Sequence, residues 1–155
     1  MKWRLREYTI RCEQCKHLFN SFGSAGDFMP YGTFYMYARN GDIAIWEAVT
    51  DKVFSECTDL IHALLPVDMP IEQKRERDWS VRGICCDPAA DGSTYQHYPY
   101  CPVCGDSLTR LNVYADPPHY EMMNLPEVKH HRWNALSKTQ REQVVRDELK
   151  RKKLI

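Results

Sequence analysis

Cys12-Glu13-Gln14-Cys15 and Cys101-Pro102-Val103-Cys104-Gly105 decide how this 155-residue chain is read. Each is a C-x-x-C pair, a spacing that turns two thiols inward on one tight backbone corner. Two such corners facing each other make a closed tetrahedral site of four sulfurs, the geometry of structural zinc. The second pair carries the stronger signal. Pro102 stiffens its corner, and Gly105 lets the backbone take a positive φ that a Cβ resists. Cys12, Cys15, Cys101 and Cys104 are therefore the expected metal ligands, holding one structural zinc ion per chain.

The two corners resemble the zinc-ribbon and rubredoxin-like class of cysteine knuckles, over residues 3–20 and 95–115. Two departures stand out. Lys16 sits where a glycine often follows the second cysteine, and residues 16–100 separate the knuckles. A rubredoxin would imply iron and electron transfer, but its compact shell does not carry an insertion of this size. The resemblance thus implies zinc. His17 follows the first knuckle closely, and with four thiolates already present it is expected to lie on the surface or behind the ligands.

Around this centre, the composition sets bounds. Seven cysteines are an odd count, and the chain has neither an apolar N-terminal leader nor a long apolar run. Secretion, disulfides and membrane insertion are therefore not expected, and a reducing cytoplasm is. Lys+Arg and Asp+Glu both number 21. Net charge thus gives no overall pull toward nucleic acid or anionic lipid. The balance hides a polarity, however. Residues 2–16 carry a net +3, residues 27–110 a net −6, and residues 138–153 a net +4. Solvated faces segregate charge in this way, and so do partner surfaces.

Lys2–Arg11 reads as a strand leading into the first knuckle. Asn20–Tyr31 reads as a loop, rich in Ser, Gly and Asp, that opens the insertion. Asn40-Gly41 lies between Phe34–Arg39 and Asp42–Trp46, the strongest local hairpin signal in the chain, and a type I′ turn is expected there. The hairpin aromatics offer a platform for stacking bases, but filling a half-buried sheet is the expected role. From Thr50 or Asp51 to Leu65 an amphipathic helix is expected. Val53, Phe54, Cys57, Leu60, Ile61, Leu64 and Leu65 form its buried stripe, and Pro66 ends it. Cys57 falls on the stripe as a small apolar residue, and His62 on the solvated flank.

Glu72–Arg82 is highly charged and reads as an exposed loop or short helix, with Trp79 as its anchor. Cys85-Cys86 follows. In a strand, adjacent cysteines point to opposite faces and seldom share one metal. Whether Cys57, Cys85 or Cys86 joins His62 or His97 in a second site stays open at this level. Tyr95–Tyr100 and Leu108–Tyr114 read as two strands of a hairpin around the second knuckle, with Pro117-Pro118 ending the sheet. Tyr120–Leu125 reads as an apolar connection. A helix from Pro126 through His130, His131 and Trp133 is expected, then a second one capped by Ser137 and Gln140. Val144, Val145 and Leu149 give this last helix so thin a stripe that it should dock lightly or reach for a partner.

The expected fold class is α+β: a split zinc ribbon with a long inserted β-hairpin plus helix, and a C-terminal helix. In domain terms this is residues 1–125, with the insertion at 16–100, followed by a helical segment at 126–155. Nucleotide-loop, nucleophile-elbow, metalloprotease and deaminase patterns are absent from the sequence. A zinc ion closed by four thiolates has no open position for activating water. The expected function is that of a small zinc-binding accessory or regulatory protein that interacts with a protein partner. The alternative is a nucleic-acid-binding zinc ribbon that contacts phosphate through Lys2–Arg11 and Lys150–Lys153. An enzyme with an unrecognised site is the third reading.

Overall fold

The computed structural model describes residues 2–25, 32–105, 110–114 and 117–155, the stretch 110–114 by its backbone. Its strands are β1 (Lys2–Cys12), β2 (Leu18–Ser24), β3 (Thr33–Tyr37), β4 (Ile43–Glu47), β5 (Arg110–Tyr114) and β6 (Tyr120–Asn124). Its helices are α1 (Lys52–Leu64), α2 (Ile71–Val81), α3 (His131–Ala135) and α4 (Lys138–Arg151). Among the described residues these make two small antiparallel sheets and four helices, a mixed α/β protein.

β1 is the axis of the larger sheet. One edge pairs with β2 from Leu5↔Ser24 to Arg11↔Leu18. The other edge is long enough for two partners in line: β6 along Lys2–Arg6, then β5 along Tyr8–Cys12. The expected loop at Asn20–Tyr31 is thus a strand as far as Ser24, because the first knuckle turns the chain straight back along β1 (residues 26–31 lie outside the described residues). Pro117-Pro118 does not end the sheet either. An eleven-residue β1 leaves its first half unpaired by β5, and Tyr120–Asn124 fills that edge rather than forming a connection.

The β3–β4 hairpin forms where Asn40-Gly41 places it, with a different turn. Gly41 N–H donates to Ala38 O (3.1 Å), and Ala38 N–H donates to Asp42 O (2.9 Å). Gly41 has φ +94°, whereas Asn40 is not among the residues with positive φ. The loop is therefore a type I turn closed by a glycine bulge, not type I′. Asn40 stabilises it by accepting the Asp42 N–H on Oδ1 (2.9 Å).

Strand alternation gives this hairpin two apolar faces. Met36, Ala44 and Trp46 join the helix-side core with Val53, Cys57 and Ile61 of α1, and Phe34 packs against it. Tyr37 and Ile43, on the other face, join Leu5 of β1, with Tyr35, Phe22 and Met123 packed around them. The hairpin is the middle of three layers. Its aromatics are accordingly core, and they are not free to stack bases.

α1 matches its expected span. Asp51 caps it, accepting the Val53 N–H on Oδ1 (3.0 Å), and Val53, Cys57, Ile61 and Leu65 are buried. α2 takes up the charged stretch, but its inner face is not solvated. Asp78 and Arg82 are buried there as an ion pair, with Arg82 Nε donating to Asp78 Oδ1 (2.8 Å). The Arg82 guanidinium also lies over the Phe54 ring, 3.9 Å from its centre. His62 is not on a solvated flank, since its Nε2 lies 3.4 Å from Asp78 Oδ2.

Three further expectations change around the second knuckle and the tail. Tyr95–Tyr100 forms no strand beyond the single bridge Tyr37↔Gln96, and Pro99 has no N–H with which to extend it. The expected second hairpin is replaced by β5 pairing with β1, while Leu108 and Thr109 lie outside the described residues. Pro126 starts no helix. The chain there runs beside β4, with Pro126 O and Val128 N–H bonded to Ile45, and α3 begins only at His131. α4 has the expected capping box of Ser137 and Gln140, yet it is not lightly docked. Val145 and Leu149 are fully buried in the same core as Cys57, Ile61 and Trp133.

Candidate metal centre

β1 ends at Cys12, and β5 begins with Arg110 paired to Cys12, so both knuckles reach one end of the sheet. The two turns have the same backbone plan. Lys16 N–H donates to Cys12 O and Gly105 N–H donates to Cys101 O, each at 2.9 Å. Lys16 has φ +65° and Gly105 has φ +74°. At Gly105 the missing side chain matters twice, because a Cβ would also lie 2.9 Å from an Arg39 guanidinium nitrogen.

The sulfurs of Cys12 and Cys104 lie 3.5 Å apart, as do those of Cys15 and Cys101. All four lie within 4.8 Å of one another. A tetrahedron with metal–sulfur bonds of about 2.3 Å has edges of about 3.8 Å. The cluster is thus the right size to hold one metal ion. The sulfurs are far too distant for a disulfide, which needs about 2.05 Å. Cys12 and Cys101 are buried and Cys15 and Cys104 exposed, so the cluster sits at the surface with one thiol of each knuckle facing inward.

The backbone already prepares one sulfur for charge. Burial pushes the Cys101 thiol up, but the N–H groups of Cys104 and Val103 and the thiols of Cys15 and Cys104 outweigh it, bringing Cys101 down to about 7. For Cys15 the His17 N–H pulls the same way; burial and the thiols of Cys101 and Cys12 win, and this thiol is raised. The His17 ring itself is exposed and stacks beside Phe19, 6.4 Å centre to centre. Chemically the cluster offers four soft donors and no open position, which suits holding a metal rather than activating water.

The remaining cysteines and histidines fall into two places. His97 is buried among Trp79, Phe34 and Trp46, stacked on Trp79 at 3.7 Å, with neither ring nitrogen hydrogen-bonded among the described residues. Burial, with Arg82 nearby, holds its pKa well below the ordinary value. Cys85 and Cys86 lie at the end of a 3₁₀ turn over Arg82–Cys85 rather than in a strand. Gly83 allows that turn to press on Tyr95, whose carbonyl oxygen would be 1.7 Å from a Cβ. Both thiols consequently come together, and the histidine beside them is His130, not His62 or His97. The sequence held no local sign of this, since His130 is 44 positions beyond Cys86. The neighbouring Cys85 thiol and then burial push the Cys57 thiol well up, and burial does the same to Cys85. Cys57 thus fills its place on the helix stripe as a small buried thiol.

No protein-family model, no curated protein and no solved structure matches this chain. No helix among the described residues is long and apolar enough to cross a membrane.

Proposed function

We propose that Cys12, Cys15, Cys101 and Cys104 hold one structural zinc ion, which makes the chain a split zinc ribbon, and that the protein acts as a cytoplasmic protein-interaction module. The observation that carries the metal reading is the gathering of four sulfurs, all within 4.8 Å of one another, from two turns of the same backbone plan. A metal closed in this way does its work by fixing shape, so function falls to the surface around it. Each knuckle has an exposed aliphatic side chain beside its rigid turn, Leu18 (58% exposed) and Val103 (63% exposed). Apolar groups held on a rigid corner favour a protein partner, because little ordering entropy is lost on docking.

The test is co-purification from the native cell with nuclease treatment, followed by Leu18→Asp and Val103→Asp. The expected result is a nuclease-resistant protein partner that both variants lose while keeping their metal. A partner retained by both variants would overturn the assignment of the knuckle surface.

One feature favours the nucleic-acid reading instead. A cleft of about 500 Å³ beside Gly105 is lined by Arg39, Arg151 and Lys152. A second cleft of about 580 Å³, also lined by Ser80 and Leu154, holds Arg75, Arg77, Trp79 and Tyr98. Cations and aromatic rings lining the same cleft suit a single strand, although Glu76 also lines the second one. Salt-sensitive, sub-micromolar binding of single-stranded DNA or RNA, weakened by Arg39→Gln with Lys152→Gln, would make this the leading reading.

A further inference from the structure

We infer that the chain holds a second zinc ion, in the core, at Cys85, Cys86 and His130. One ligand atom from each of these three residues lies within 4.8 Å of the other two, and both cysteines are buried. The donor set of two thiols and an imidazole is that of a zinc site.

The strongest support stands behind His130. Its Nε2 lies 2.6 Å from Asp51 Oδ2. Asp51 is itself fixed by the Trp46 Nε1–H (2.9 Å) and by the Val53 N–H (3.0 Å). A carboxylate on the outer nitrogen is what orients a metal-binding histidine and raises its donor strength. The inner nitrogen, Nδ1, lies 2.8 Å from the Cys85 carbonyl oxygen, on the side of the ring away from Asp51. A carbonyl only accepts, so Nδ1 carries a proton in that contact. For zinc to bind Nδ1 the ring must turn from the Cys85 carbonyl, breaking that hydrogen bond; the Nδ1 proton and one proton from each thiol, three in all, then leave to solvent as three coordinate bonds form.

Cys57 stands outside this group of three but beside Cys85. The thiols of Cys57 and Cys85 point at one acceptor, the Arg82 carbonyl oxygen, at 3.8 and 3.0 Å. Cys57 can complete a Cys₃His set by turning from that carbonyl. Such a site would tie α1, the 3₁₀ turn and the segment before α3 together, three pieces far apart in the chain. It is independent of the four-cysteine cluster, with which it shares no residue.

The experiment is native mass spectrometry of the full chain purified with zinc, alongside Cys86→Ala and Cys12→Ser, with circular dichroism of each. The expected result is two zinc ions in the parent protein and one in Cys86→Ala, with the spectrum unchanged. A single zinc that Cys12→Ser abolishes and Cys86→Ala leaves would overturn the inference while upholding the four-cysteine centre. A single zinc with the opposite dependence would uphold the core site and overturn the other. Should Cys86→Ala not fold, the parent decides: a single ion per chain, lost from a Cys12→Ser variant that keeps its helical spectrum, rejects the core site.

Discussion

Lys16 stands in the first knuckle where Gly105 stands in the second, with the same positive φ and the same 2.9 Å bond back to the first cysteine of its pair. A lysine pays for that conformation and a glycine does not. Lys16→Gly is expected to stabilise the metal-loaded protein by up to about 1 kcal/mol, the backbone relief being partly offset by a looser unfolded chain. Gly105→Ala should destabilise it by about 1–2 kcal/mol through the positive φ, since the Arg39 guanidinium that its Cβ would meet ends a flexible side chain and can shift. Denaturant unfolding in excess zinc measures both. Equal and small effects would mean that the two turns are not equivalent in solution.

Metal removal should unfold the sheet end of the molecule. Cys15 and Cys101 are 86 positions apart, and tying such a loop is worth on the order of 4 kcal/mol by chain entropy alone. Cys101→Ser and Cys104→Ser, or treatment with a strong chelator, are expected to lose folded structure by circular dichroism. Iron with a red colour in the purified protein would sink the zinc assignment.

The last helix supplies core. Leu149→Ala is expected to cost about 2–5 kcal/mol, as deletion of a fully buried leucine does. Ile61→Ala should fall in the same range, because both side chains belong to one cluster. Truncation after Ser137 should prevent folding. A truncated chain with a cooperative thermal transition near that of the parent would show that α4 is an appendage.

Stability should fall in mild acid on account of His97. Its folded pKa is depressed, so below about pH 6.5 the unfolded chain takes up a proton that the folded one refuses. The contribution is present above that pH and is lost as the pH falls, amounting to up to about 2 kcal/mol between pH 7.5 and pH 5. Metal-bound thiolates also weaken with acid, so the comparison is with His97→Phe. That variant is expected to show the shallower dependence in urea titrations across this range.

Local chemistry was legible in the sequence wherever one residue does its work on near neighbours. Asp51 caps α1, Ser137 and Gln140 form their box, and Asn40-Gly41 turns the hairpin, each through bonds spanning a few positions. The two C-x-x-C corners belong to the same class, and their spacing was enough to predict that four thiols gather. What was not legible is set by distant partners. Tyr120–Asn124 becomes a strand only because β1 has an unfilled edge. Asp78 and Arg82 look solvated in a charged run, yet they are buried as a pair with the Phe54 ring against the guanidinium. Val145 and Leu149 make a thin stripe, yet two residues suffice when the hole they fill already has Trp133 and Ile61 as walls. Cys85 and Cys86 come together because they end a 3₁₀ turn, where the opposite-face alternation of a strand does not hold.

The long separation of the two knuckles has a consequence for how the protein is made. At ribosomal rates of roughly 5–20 residues per second, the first pair of thiols emerges roughly 4–17 s before the second. Throughout that interval β1 has its β2 neighbour and a bare opposite edge, because β5 and β6 both lie beyond Cys104. A two-stranded hairpin with both outer edges open and two unshared thiols is the species most exposed to pairing with another chain. Metal can close over the four sulfurs only once Cys104 has emerged, and it then holds the corner of β1 against which β5 and β6, the next strands to leave the ribosome, must pair.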